Sequence, residues 1–140
     1  THCISSAASD VYKRQGLYLA SRHPARATMG SLLDSVCVHL LQPKPFEFVN
    51  SVSNAAGFHV SAQLGLEGPN LFIGAGPNVW KHLQALASLD QADGLIGQAL
   101  LVMIDEDDEF VAQAVLIEGP SQAADFAELT AAIDVLQLQL

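Results

Sequence analysis

The chain reads as an α/β protein, and three observations predict that class. Short apolar runs suited to buried strands alternate with stretches whose apolar residues recur at spacings of three and four. Half of the residues are hydrophobic and only 15% are charged, the balance of a packed domain and not of a disordered chain. At 140 residues there is room for one sizeable core and none for a second.

The elements follow in order. Residues 1–15, "THCISSAASDVYKRQ", have neither helical nor strand periodicity. They resemble translated adapter sequence ahead of an open reading frame, with a disordered N-terminus as the alternative, and are set apart from residues 16–140. "GLYLAS" (Gly16 to Ser21) predicts a buried strand, and "RHPARAT" a loop after it. From Thr28 to Leu41, Met29, Leu32, Leu33, Val36, Cys37, Leu40 and Leu41 mark one apolar helix face. "QPKPFEF" breaks that helix, because proline cannot continue it. A second helix is expected over Ser53 to Leu64, where Ala55, Ala56 and Gly57 allow close approach to a neighbour. "LEGPN" is a turn, Leu71 to Ala75 a strand, and Asn78 to Leu89 a helix with Val79, Leu83 and Leu86 inward and Trp80 as a further inward candidate. Two strands, Leu95 to Asp105 and Phe110 to Glu118, flank the acidic hairpin "EDDE", and a helix over Gln122 to Leu138 ends the series. The order β α α β α β β α with apolar strands predicts a mixed sheet covered by helices.

Charge excludes some function classes. A net charge of -9, with six scattered basic residues, cannot neutralise a row of phosphates, so neither nucleic acid nor an anionic membrane is expected as a partner. No apolar run approaches the roughly 18 residues that span a bilayer, and a cytoplasmic location is expected. Cys3 and Cys37 form neither a disulfide framework nor a metal-ligand spacing, in keeping with a reducing compartment.

The stretch "GPNLFIGAGPNVWKH" (68–82) reads as strand, glycine turn and helix start, a place where enzymes put a phosphate or a nucleophile. As a dinucleotide loop it is incomplete: Gly74 and Gly76 fit, but Val79 stands where a third glycine is required, and the nearest downstream acid is Asp93. A phosphate loop of the Gly-Lys-Ser/Thr kind is absent. A nucleophile is also missing, since Gly65 through Ala87 contain no Cys, Ser, Thr or Asp. Pro77 has no N–H to offer an oxyanion. The run Asp105, Glu106, Asp107, Asp108, Glu109 lacks calcium-loop spacing and is read as a solvated hairpin. His39, His59 and His82 fall on separate helices without metal spacing, so neither metal nor cofactor is expected. His23, beside Arg22 at a strand end, stands where loops of α/β sheets host function, with a structural loop contact as the plainer reading.

"PFEFVNSVSNAAGFHVSAQLGLEGPNLFIGAG" (45–76) resembles the N-terminal domain of β-ketoacyl synthases, in its Pro-x-x-Phe, its Ser-Val-x-Asn-Ala helix start and its Gly-x-x-Gly-Pro-Asn before a strand. "ASRH" (Ala20 to His23) and "LLVMIDE" (Leu100 to Glu106) are similar to segments of the short ketosynthase-like proteins of bacterial polyene and fatty-acid gene clusters. The resemblance runs from about Leu17 to Glu118 and rests on the order and spacing of motifs that are each weak alone.

The resemblance implies a thiolase-like fold, a mixed five-stranded sheet between helix layers, of which this chain would hold the N-terminal half. It implies a dimer built on the strand Leu71, Phe72, Ile73, Gly74, Ala75, either a homodimer or a heterodimer with an active ketosynthase, and an acyl carrier protein as a further partner. The family's catalytic Cys falls here on Pro77, flanked by Gly76 and Asn78, and its histidines belong to a C-terminal half. Ser53 stands where the nearest relatives often have His. The expected role is therefore that of a chain-length-factor-like partner without condensing activity, in fatty-acid or polyene assembly. Phe46, Phe48, Phe58, Phe72 and Trp80 are candidates for the wall of an acyl tunnel, with simple core packing as their plainer reading. Two alternatives stand beside it. One is an active acyltransferase using Cys37, expected mid-helix on the apolar face, and the other a fragment without function of its own.

Overall fold

The computed structural model describes residues 14–106, 110–119 and 131. Among them a four-stranded mixed sheet forms the centre: β1 (Gln15–Ser21), β2 (Asn70–Gly74), β3 (Gln98–Glu106) and β4 (Phe110–Glu118), in the order β2-β1-β3-β4. β1 runs parallel to both β2 and β3, while β4 returns antiparallel along β3. The helices are α1 (Arg26–Leu33), α2 (Pro45–Asn50), α3 (Ala55–Leu64) and α4 (Val79–Ala92). The mixed α/β class predicted from sequence is thus present, with four described strands. The predicted C-terminal helix, Gln122 to Leu138, lies outside the described residues, as does nearly all of the segment 1–15. Its last residue, Gln15, opens β1 and pairs with Gln98.

β1 is the central strand, and its sequence says why. Gly16 to Ser21 are all buried, so both faces of the strand are covered and the run is apolar throughout instead of alternating. Tyr18 and Ala20 point to the face covered by α4, where Val79, Trp80, Leu83 and Ala87 meet Ala99, Leu101 and Met103 of β3. Successive side chains alternate faces, so Leu19 points the other way, toward α3. Gly57 permits that contact: a Cβ there would stand 2.6 Å from Asn70 Oδ1 and 2.7 Å from Leu19 Cδ1. Ser61 reinforces it, accepting a hydrogen bond from Asn70 Nδ2 at 2.8 Å while donating to the Gly57 carbonyl at 2.6 Å. α3 stops at Gly65, whose φ of 65° suits a residue without Cβ.

At the N-terminal end of β1 a polar ladder crosses three strands. Gln15 Nε2 donates to Gln98 Oε1 at 2.6 Å, and Gln98 Nε2 donates to Glu118 Oε1 at 3.1 Å.

Two helices differ from expectation. The helix predicted over Thr28 to Leu41 ends at Leu33 and continues as one wide π-helical turn over Asp34–Val38. Ser35, Val36, Cys37 and Val38 are all weak helix formers, and the wider turn rotates the apolar stripe out of line. Leu32 is buried, whereas Leu33, Val38, Leu40 and Leu41 are exposed. Cys37 is exposed too, which corrects the expected burial of its thiol. The second difference is α2, which begins at Pro45 inside the stretch read as a break. Proline ends a helix in its interior but is favoured in the first turn, where its missing N–H has no carbonyl to meet.

Candidate functional site

The C-terminal ends of parallel strands are where open α/β sheets bind ligands, and both hollows that matter here open at that end. On the α3 face, a cleft of about 520 Å3 is built by the loop after β1, the end of α2, the start of α3 and the ends of β2 and β3. Its floor is apolar, with Val60, Phe72 and Ile104, and its polar groups are Ser21, His23, Thr28, Asn50, Ser53 and His59. Ser21 ends β1 with only 4% of its surface exposed, and its Oγ accepts the His23 N–H at 3.2 Å. His59 Nε2 lies 3.2 Å from Asn50 Oδ1, so α2 orients an imidazole carried on α3. The Phe58 and His59 rings meet edge-on at 5.6 Å.

The second hollow, about 270 Å3, lies beside the turn between β2 and α4, against Arg22, Ala75, Gly76, Pro77, Val79 and Met103. The Ala75 N–H donates to the Ser21 carbonyl at 2.9 Å, carrying the β2–β1 pairing one residue past the strand. The Val79 N–H donates to the Gly76 carbonyl at 3.2 Å, and Asn78 takes a left-handed conformation with φ of 63° to open α4. The helix thus starts with Pro77 lacking an N–H and with the Val79 N–H already used, so the turn is poor in donors for an oxyanion. Arg22 reaches across from the end of β1 to pair with Asp105 at 2.5 Å. The other Asp105 oxygen, Oδ1, is buried and has no hydrogen-bond partner among the described residues.

The predicted site residues separate into distinct environments. Gly76, Pro77 and Asn78 sit together at the β2–α4 turn, as the sequence spacing required. Leu71 to Ala75 correspond to β2, shifted by one residue, at the edge of the sheet. Phe72 lines the larger cleft, but Trp80 is fully buried under α4 on the opposite face, so these two do not border one cavity. Phe46 and Phe58 are 82% and 67% exposed and border neither hollow, and Phe48 is exposed as well. His23 and His59 both line the larger cleft; His39 instead lies 3.3 Å from Asp34. Of the acidic run, Asp107, Asp108 and Glu109 fall outside the described residues. Among the described residues no group of three or more His, Cys, Asp or Glu side chains is placed to hold a metal ion. Ser21, Thr28 and Asn50 were not legible as site residues, since they come from separate elements and carry no motif. The one available signal was His23 in the loop after an apolar strand.

In comparison with known proteins, no family model and no curated protein matches the chain. Among the described residues, no helix is long and apolar enough to cross a membrane.

Proposed function

We propose that the chain is a ketosynthase-like half-domain of thiolase-like type, without condensing activity of its own, that partners an active synthase in fatty-acid or polyene assembly in the cytoplasm. The observation that carries this reading is the β2–α4 turn. It has the strand, tight turn and helix start that would present a thiolate to the helix dipole, yet Pro77 stands where the family nucleophile would be. Decarboxylative condensation needs an acylated nucleophile and acid/base partners, and neither Gly76, Pro77 nor Asn78 can be acylated. Cys37 offers no substitute, being exposed on the π-helical turn and lining neither hollow.

Two further features support a partner role. Among the described residues β2 is an edge strand, with one side open to pair with an equivalent strand across a two-fold axis. Large apolar residues including Leu40, Phe46, Phe58 and Leu116 are more than half exposed, as expected of a surface that meets protein.

The test is to mix the chain with an active ketosynthase and an acyl carrier protein. The chain alone is expected to give no condensation product and no label from a ketosynthase-directed electrophile, while forming a complex with the synthase. A chain that binds neither protein would refute the partner role, and stoichiometric labelling at Cys37 would refute inactivity.

A further inference from the structure

The sheet has a second edge, and it is built unlike β2. Among the described residues β4 forms the side of the sheet away from β2. Edge strands are commonly blunted by shortness, proline, lysine or a bulge, because their unpaired N–H and C=O groups otherwise recruit another strand. β2 is five residues long, follows Pro69 and ends at Gly74. β4 has none of these devices. It runs for nine residues, "FVAQAVLIE", with no proline and no lysine, and its pairing with β3 is unbroken from Gln98 opposite Glu118 to Glu106 opposite Phe110. Its one charge is Glu118, at the end of the strand. The strand is also open to solvent: Phe110, Val111 and Leu116 are 71%, 49% and 57% exposed, and Ala112 and Ala114 are exposed between them.

The side chains say which strand fits. Successive residues alternate faces, and Ile117 belongs to the core under α4, so Phe110, Ala112, Ala114, Leu116 and Glu118 share the other face. Their sizes are self-complementary when the strand meets itself antiparallel about Ala114. Leu116 then stands opposite Ala112 of the partner subunit, and Val111 opposite Ile117 of the partner subunit as a β-branched pair. The uncharged centre lets two copies of a chain with net charge -9 meet without setting like charges against each other, since Glu118 faces Phe110 of the partner subunit. We infer that β4 pairs with β4 of a second copy about a two-fold axis at Ala114, joining the two sheets into one. The β2 edges lie at the outer ends of that joined sheet. The pairing therefore leaves them open and is separate from the partner role proposed above.

The test is sedimentation equilibrium of the full chain with no other protein present. A concentration-dependent equilibrium between monomer and dimer is expected. Ala114→Lys sets two ammonium groups against each other on the axis and should weaken the dimer by about tenfold or more, whereas Leu71→Lys, on the other edge, should leave it unchanged. Circular dichroism shows that each variant keeps its fold. In a background of Cys3→Ser and Cys37→Ser, Ala114→Cys should form a disulfide between copies under copper–phenanthroline oxidation. Residues directly opposite in an antiparallel pair lie about 4.5–5.5 Å apart at Cα, within reach of that bond. Leu71→Cys in the same background should stay unlinked. A chain that remains monomeric, an undiminished dimer in folded Ala114→Lys, or cross-linking at position 71 in place of 114 would each overturn the inference. No arm of the experiment contains a synthase, so the partner role stands or falls separately.

Discussion

Tyr18 lies fully buried under α4 and donates its phenolic hydrogen to Asp90 at 2.5 Å. Burial above all, then that hydrogen bond and the nearby carboxylate charge, push its ionisation well above the ordinary value of 10.0. The unfolded chain therefore loses this proton first as pH rises. The stabilisation is complete below about pH 10 and declines as pH climbs above it toward the folded-state pKa. Tyr18→Phe should cost about 1–2 kcal/mol at neutral pH and flatten the alkaline fall in stability, both read from urea denaturation across a pH series. Gly57 makes a different demand. A methyl there would press on Leu19 and on Asn70, whose side chain is tied to Ser61, so Gly57→Ala should destabilise by about 1–3 kcal/mol despite its better helix propensity. The small-residue run Ala55, Ala56, Gly57 made the close approach legible in the sequence. Which of the three carries it was not legible, since only Gly57 is buried.

Strands were read well because their signal is local. Phe110 to Glu118 is observed with the predicted bounds, β1 starts one residue early and β2 is shifted by one, while β3 starts three residues later than the predicted Leu95 and ends one later. Helix readings failed where a tertiary choice overrode the pattern. The stripe from Met29 to Leu41 has helical spacing, but much of it finds no partner surface, and the chain widens into a π-helical turn. Trp80 shows the same limit at the candidate site. Spacing offered Trp80 as an inward residue of the helix, with core packing as the plainer reading, and it is buried in the core; which sheet face α4 would cover was not legible. At the level of elements the edge position of β2 carries a prediction. Leu71 is 39% exposed, so Leu71→Lys should change folding stability by no more than about 0.5 kcal/mol. On the proposed partner role it should abolish association through that edge, measured by analytical ultracentrifugation with and without a synthase.

Among the described residues, the larger share of the buried side chains lies on one side of the sheet. Tyr18, Trp80, Leu83 and Leu101 form a closed core with α4, while α1 to α3 leave Leu40, Phe46, Phe48 and Phe58 in solvent. The composition announced abundant apolar surface, and it could not say how much of it the chain would bury alone. A paired Phe46→Ser and Phe58→Ser variant should keep its unfolding free energy within about 0.5 kcal/mol while binding markedly less of a hydrophobic dye. A large loss of stability instead would mean that these rings pack within the chain.

The turn that opens α4 separates architecture from reactivity. β2 delivers the chain to Gly76, Asn78 accepts its left-handed conformation, and the buried face of α4 fixes the axis of the helix, none of which depends on the side chain at position 77. Pro77 is exposed, so a cysteine installed there would replace no core contact and would sit at the positive end of a 14-residue helix. Pro77→Cys should be alkylated by iodoacetamide faster than Cys37 at neutral pH, followed by mass spectrometry of the two peptides. If so, the end of a helix alone activates a thiol at this turn, with no neighbouring side chain needed to do it.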